Sequence, residues 1–338
     1  FTMTITAAAP ATLAYTLVTS NATAGEVVAP LGFEARDPFG NAVASYTGNV
    51  TISISSGPPG ATIGGTLTRA AVAGVVTFDD LTFPVVGDYV LSVTDGTIAG
   101  VATTFSITAA TAANLAVEGL TTRSLPVLSE LSDSLRVKVT DAFGNPVSSV
   151  TVNWSVQSGS ATLSAASTQT DADGLTAISL TGGALVETVT IEAASGTLAG
   201  SPVTFSVDLQ PGTAVALLMD TEPVSQTAGV TLAPFAVSAR DGGGNLVATF
   251  TGNVVLALES GPVGANIGGT PTVTAVAGVA TFNDIVLETA GDYVFRVQSA
   301  GLADVLTASI TVAPAAASEI QLISGDAQSD TVALTLAD

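Results

Sequence analysis

The sequence predicts an all-β chain built as a tandem array of two-sheet sandwiches, and three observations predict it. Apolar residues fill 47% of the 338 positions but aromatics only 5%, so the hydrophobic material is mostly Ala, Val, Leu and Ile interleaved with Thr and Ser, which suits strands. The block 37–90 recurs without a gap at 241–294: Asp37 and Asp241, GNV at 48 and 252, SGP at 56 and 260, IGGT at 63 and 267, VAG at 72 and 276, and GDYV at 87 and 291 share one offset of 204. Short β-branched runs are punctuated throughout by Gly, Pro, Asn and Asp, the residues that supply turns.

Taken in chain order, the first copy offers LAYTLV from 13, LGFEA from 31, NVTISIS from 49, VVTF from 75, DYVLSV from 88 and ATTFSIT from 102 as strands. About seven strands in roughly 100 residues is the arithmetic of an immunoglobulin-like sandwich. Between the second and third strands stands DPFGN, matched by DAFGNP at 141 and DGGGN at 241. Asp leads each, where its carboxylate can accept backbone amides, and Gly-Asn closes it, where positive φ is tolerated; each is read as a tight hairpin. Asp95-Gly96 is a further hairpin signal. GDYV resembles the strand that carries a tyrosine corner, so Tyr89 and Tyr293 are expected to cap their sandwiches through the hydroxyl. The middle copy has Val189 at that place, and Trp154 is expected to supply the missing bulk.

The middle copy is anchored by Asp141 and by GTLAG at 196, which matches GTIAG at 96; it is about four residues shorter, from offsets of 104 and 100. TMTIT at 2–6 is similar to the closing runs TFSIT at 104 and TFSVD at 204, and 320–338 aligns on 115–133 at an offset of 205. The expected organisation is therefore a closing strand at 1–8, sandwiches at 9–110, 111–210 and 211–314, and the opening strand of another at 315–338, in an elongated array that alternates two subtypes. Ends that fall inside sandwiches suggest a chain bounded by what is visible in a repeating assembly. The linkers AATAAN at 109, LQPGT at 209 and APAAAS at 313 are short and carry Pro or Ala, which favours a semi-rigid rod.

With 28 Asp plus Glu against 7 Lys plus Arg, the formal charge is -21. That surface repels nucleic-acid phosphates, so no nucleic acid is expected as a partner. No apolar run reaches a membrane-spanning length, so this segment is not expected to insert in a membrane, and FTMTITAAAP lacks the basic and apolar regions of a signal peptide. The absence of Cys and His removes disulfides, thiolates and imidazole catalysis, and no phosphate loop or dinucleotide fingerprint occurs, so no enzyme and no cofactor are expected.

The remaining candidates are weighed against plain structural roles. Asp171-Ala172-Asp173-Gly174 sets two carboxylates two residues apart, the beginning of a calcium loop without its later ligands or closing Glu. Asp37, Asp141 and Asp241 lie near sandwich edges, where they either organise turns or hold an interdomain ion. Asp79-Asp80 is read as a solvated turn. Asn21, Asn49 and Asn153 each begin an N-x-S/T triplet, which matters only in a host that glycosylates. Phe33, Phe39, Phe78, Phe105, Phe235 and Phe282 recur at matching positions and are read together as core packing.

The run VTDAFGNPVSSVTVNWSV, followed by SGSATLS and TQTDADGLTAISLTGG, resembles the bacterial immunoglobulin-like domains of invasin- and intimin-type adhesins across the whole middle copy. The outer copies look like looser immunoglobulin-like repeats of giant bacterial surface proteins. The resemblance implies an extracellular, cell-surface stalk whose partners are further immunoglobulin-like domains of the same chain. Its rival is a homopolymer: a self-assembling filament, sheath or surface layer that meets through sheet edges.

Overall fold

The computed structural model describes residues 1–17, 21–98, 100 and 102–320. Among them every regular element is a strand, and no helix is present. The expected strand opening 315–338 lies largely outside the described residues.

Compact contacts divide the chain into two units. The first comprises Phe1–Leu125, Ser129–Gly182 and Glu187–Asp208; the second comprises Pro126–Leu128, Gly183–Val186 and Leu209–Asp338. The first unit contains two sandwiches. In the leading one, a sheet of Thr12–Leu17, Leu31–Arg36 and Val75–Phe78 accompanies a five-stranded sheet ordered Ala22–Thr23, Ala102–Thr108, Gly87–Thr94, Asn49–Ser56 and Thr68–Ala70. Alternation in Asn49–Ser56 turns Val50 and Ile52 inward while Asn49, Thr51 and Ser53 stay exposed, the pattern of a sheet wet on one face. Between the sheets lie Leu31, Phe33, Phe78, Phe83, Tyr89 and Leu91, all fully buried. Each such side chain contributes roughly 1.5–3 kcal/mol relative to exposure. With no disulfide, this burial carries the sandwich.

The second sandwich of this unit pairs Leu135–Thr140 with Asn114–Val117 and Leu175–Ile178, and sets Thr151–Ser158 beside Thr188–Ala194 in its larger sheet. Trp154 is buried there with its ring centroid 6.1 Å from that of Phe205. In the second unit, Ala216–Thr221, Phe235–Arg240 and Val279–Phe282 form the smaller sheet, and Gly291–Gln298 pairs with Asn253–Ser260 in the larger. Phe235 stacks on Phe282 at 5.1 Å.

Each D-x-x-G-N segment is a tight reversal closed by one antiparallel bridge, Arg36–Ala42, Thr140–Pro146 and Arg240–Leu246, but it does not pair the second strand with the third. The strand before the first, Leu31–Arg36, belongs to the smaller sheet, and the strand after it, Asn49–Ser56, belongs to the larger. The turn therefore reverses the chain at the rim of the sandwich and passes it from one sheet to the other. Sequence alone signals a reversal there but not which sheet receives the next strand. Phe39 also departs from the core reading: it is 83% exposed at the tip of its turn, whereas Phe33 and Phe78, on two paired strands of the smaller sheet, are fully buried.

Candidate functional site: the D-x-x-G-N clasp

Asp141 begins the second of these turns and is completely buried. Its Oδ1 accepts the amides of Phe143 and Asn145, both at 2.9 Å, which winds the five residues into a compact Asx-type turn. Its Oδ2 accepts the amide of Ala110 in the connecting segment at 3.0 Å and the side-chain amide of Asn145 at 2.9 Å. One carboxylate thus fixes both the turn and the linker. Burial raises the pKa of Asp141, but the Asn145 side chain and the amides of Ala110, Asn145 and Phe143 outweigh it and hold the group below the ordinary carboxylate range.

Asn145 is the outward half of the clasp. Its Nδ2 donates to the Pro84 carbonyl at 2.7 Å, and its Oδ1 accepts the Val86 amide at 3.0 Å. A single carboxamide therefore pairs with a carbonyl and an amide two residues apart, as a neighbouring β-strand would. The loop it reads is fixed from beneath: the Tyr89 hydroxyl donates to the Val85 carbonyl, the residue between, at 2.7 Å. Beside this pair, Phe143 lies over Gly25, which has φ +77°; a Cβ on Gly25 would fall 1.9 Å from the Phe143 ring. Only glycine leaves room for that ring.

The second unit repeats the arrangement. Asp241 accepts the amides of Gly243 at 2.9 Å, Asn245 at 2.8 Å and Gly212 at 2.9 Å, and Asn245 reaches the Ala184 carbonyl at 2.6 Å and the Val186 amide at 3.3 Å. Here the fit is reversed. The bulky residue is Leu128, on the loop side and in the left-handed region at φ +59°, and it meets Gly242. A Cβ on Gly243 would stand 2.1 Å from the Ala184 carbonyl oxygen. Tyr293 donates to Thr289 at 2.8 Å, as Tyr89 does to Val85.

Asp37 makes the same inner bonds, accepting Phe39 and Asn41 at 2.9 Å and Ala8 at 3.0 Å, while Asn41 and Phe39 are exposed. The Asn41 side chain and these amides hold Asp37 below its usual pKa against the opposing effect of burial. Asp241 is lowered too, its amide bonds outweighing burial.

Asp171 and Asp173 are exposed. Asp171 Oδ1 accepts the amides of Asp173 and Leu175 at 2.9 Å, the same turn chemistry with Leu in place of the closing Asn. Among the described residues no group of three or more His, Cys, Asp or Glu is placed to hold a metal. Trp154 occupies the strand position of Ile52 and Leu256, away from the tyrosine corner, and its indole donates to Thr168 at 2.8 Å. The bidentate role of Asn145 and Asn245 was not visible in the sequence as more than turn chemistry, although the recurrence of Asn four residues after each Asp was the available signal.

Comparison with known proteins agrees with this architecture. No curated protein sequence matches the chain. Among solved structures, FdeC, described as an Escherichia coli adhesin, aligns at 17% identity over 92% of this chain and 100% of that one, with a TM-score of 0.51. Invasin, described as a bacterial integrin-binding protein, aligns at 16% identity over 90% of this chain and 60% of its own, with a TM-score of 0.39. Domains 4–9 of the surface layer protein SbsC align at 16% identity over 90% of this chain and 47% of that one, at 0.28. Residues 131–210 match the family model described as bacterial Ig-like domain (group 1). Residues 131–210 are therefore similar to a bacterial Ig-like domain (group 1), within an all-β tandem array of the immunoglobulin-like fold.

Proposed function

We propose that the chain is a spacer segment of a bacterial surface protein, an extracellular stalk of the adhesin type whose sandwiches are clasped to their neighbours. The observation that carries this reading is the Asp141–Asn145 turn, which binds the linker through Asp141 and the Pro84–Val86 loop through Asn145. A flexible tether would leave Ala110 and the Pro84 carbonyl to water. A clasp restricts bending, which is what a spacer requires. The family match at 131–210 and the adhesin named among the structural neighbours support a surface role. The net charge of -21 favours solubility and resists collapse of neighbouring segments onto one another.

The chain has no cysteine, so spin labels can be placed cleanly at Ser55→Cys and Ser155→Cys, both exposed and both in the first unit. The stalk reading expects a narrow distance distribution by pulsed electron resonance, broadened by Asn145→Ala. A broad distribution in the otherwise unaltered protein rejects it.

A further inference from the structure

With 7 Lys and Arg against 28 Asp and Glu, every cation of this chain has acids to choose from. Arg36, Arg69, Arg123, Arg240 and Arg296 each form an ion pair, at 2.6–3.4 Å. The other two, Arg136 and Lys138, form none among the described residues, and both stand on one strand of the second sandwich, Leu135–Thr140.

That strand alternates. Leu135, Val137 and Val139 are buried, so Arg136 and Lys138 leave the same outer face of the smaller sheet, about 6.5 Å apart along the strand. Their cross-strand neighbours are small or apolar: Ala177 beside Arg136, and Ala116 and Leu175 beside Lys138. Arg136 is exposed and Lys138 half-buried. A shallow cavity of about 200 Å³ opens at the Arg136 end, lined by Glu118, Gly119, Arg123, Asp133, Ser134 and Arg136. Asp133 is engaged by Arg123, whose Nη2 donates to it at 3.3 Å. Glu118 lies level with Arg136, its amide donating to the Arg136 carbonyl at 2.9 Å, and its carboxylate forms no ion pair. Two free cations thus border a cavity whose remaining groups are a hydroxyl and two carboxylates, with no aromatic or large apolar side chain among them.

We propose that this face binds an acidic saccharide, a sugar bearing a carboxylate. Arg136 and Lys138 pair with the acid, the guanidinium offering a planar fork that matches a carboxylate. The ring lies in the cavity, where its hydroxyls donate to Glu118 and Asp133 and accept from Ser134. A ligand with an acid alone would meet the two carboxylates as repulsion, and a neutral sugar would leave the two cations unpaired. The site goes beyond the spacer reading and is independent of the clasp. Solvent-exposed ion pairs are weak, so a dissociation constant of roughly 1–10 mM is expected for a short oligomer.

Nuclear magnetic resonance titration of the full chain with trigalacturonic acid tests this, with its neutral methyl ester and sodium acetate as the ring without the acid and the acid without the ring. Amide shifts are expected at 116–119, 134–138 and 175–177, with the ester and acetate at least tenfold weaker. Arg136→Gln and Lys138→Gln should each weaken binding by roughly threefold to fivefold. Glu118→Gln should tighten it, since the amide still accepts a hydroxyl and no longer repels the acid. All three changes lie on the surface, and each spectrum reports whether its variant is folded; Lys138→Gln decides alone should Arg136→Gln fail to fold. No shifts on that face, equal shifts with acetate or the ester, or unchanged affinity in a folded Arg136→Gln or Lys138→Gln variant overturns the proposal. None of these outcomes bears on the distances between spin labels at Ser55→Cys and Ser155→Cys, which test the stalk reading separately.

Discussion

At the scale of single residues, a side chain matters here through the backbone groups it satisfies. Asn145 exchanges two hydrogen bonds with Pro84 and Val86, and Tyr89 holds the carbonyl between them. Asn145→Ala is expected to cost about 1–3 kcal/mol, because it leaves a carbonyl and an amide at the joint without protein partners. Tyr89→Phe should cost about 1–2 kcal/mol. The two losses should fall short of additivity in a double-mutant cycle followed by chemical denaturation, since Tyr89 serves Asn145 by positioning its loop. Fully additive losses would mean that the corner and the clasp are independent. Asp141 sets a pH dependence. Its folded-state pKa lies below the unfolded value of about 3.9, so its stabilisation is complete above about pH 4 and is lost as pH falls through the folded value. Asp80 and Asp95 add to the same window, both held down at about 2. For Asp80 the Thr66 hydroxyl and amide are the main cause; for Asp95 burial opposes, and the amides of Ile98 and Thr97 prevail. Asp141→Asn should therefore be less stable than the parent at pH 7, with the gap narrowing below about pH 4. A gap constant from pH 7 to pH 2 would contradict the assignment.

At the scale of elements, one turn sequence performs different tasks according to what fills its third position. Phe143 inserts over Gly25, Gly243 admits the Ala184 carbonyl, and Phe39 stands in solvent. Gly243→Ala brings a Cβ to within 2.1 Å of a backbone oxygen that cannot swing away, so the clasp must open. A loss of about 2 kcal/mol or more is expected in thermal or urea unfolding. Gly144→Ala meets open space and suffers only from its φ of +86°, at about 1 kcal/mol. Equal costs at the two sites would show that backbone strain, not packing, sets both. The strands themselves were legible: the runs from 13, 31, 49, 75, 88 and 102 all became strands, because alternation and β-branching act locally. The sheet switch after Arg36 was not, because a turn motif encodes a reversal and the partner strand is chosen by burial elsewhere. A bulge between Ile54 and Ser56 recurs between Val156 and Ser158 and between Leu258 and Ser260, again without a local signature.

At the scale of the whole molecule, the excess of acid over base, 28 against 7, makes self-repulsion the dominant long-range force. Melting temperature should rise by a few degrees from low salt to about 0.5 M sodium chloride as that repulsion is screened. The buried carboxylates of Asp37, Asp141 and Asp241 are engaged by amides, so calcium should raise the melting temperature no more than magnesium at equal ionic strength. A selective rise with calcium would point to a bound ion, with Asp171 and Asp173 the first residues to replace. The sequence by itself determined the strand content, the 204-residue period and the places where the chain reverses, because composition, repetition and turn chemistry are local properties. Tertiary structure alone decided which sheet each strand joined, that Phe39 lies outside the core, and that the Asn of the second and third turns reaches a carbonyl and an amide about 60 residues earlier in the chain, as Asn145 reaches Pro84 and Val86 and Asn245 reaches Ala184 and Val186. Those outcomes depend on which backbone groups and apolar surfaces are brought together by the rest of the fold, and no short stretch of sequence contains that information.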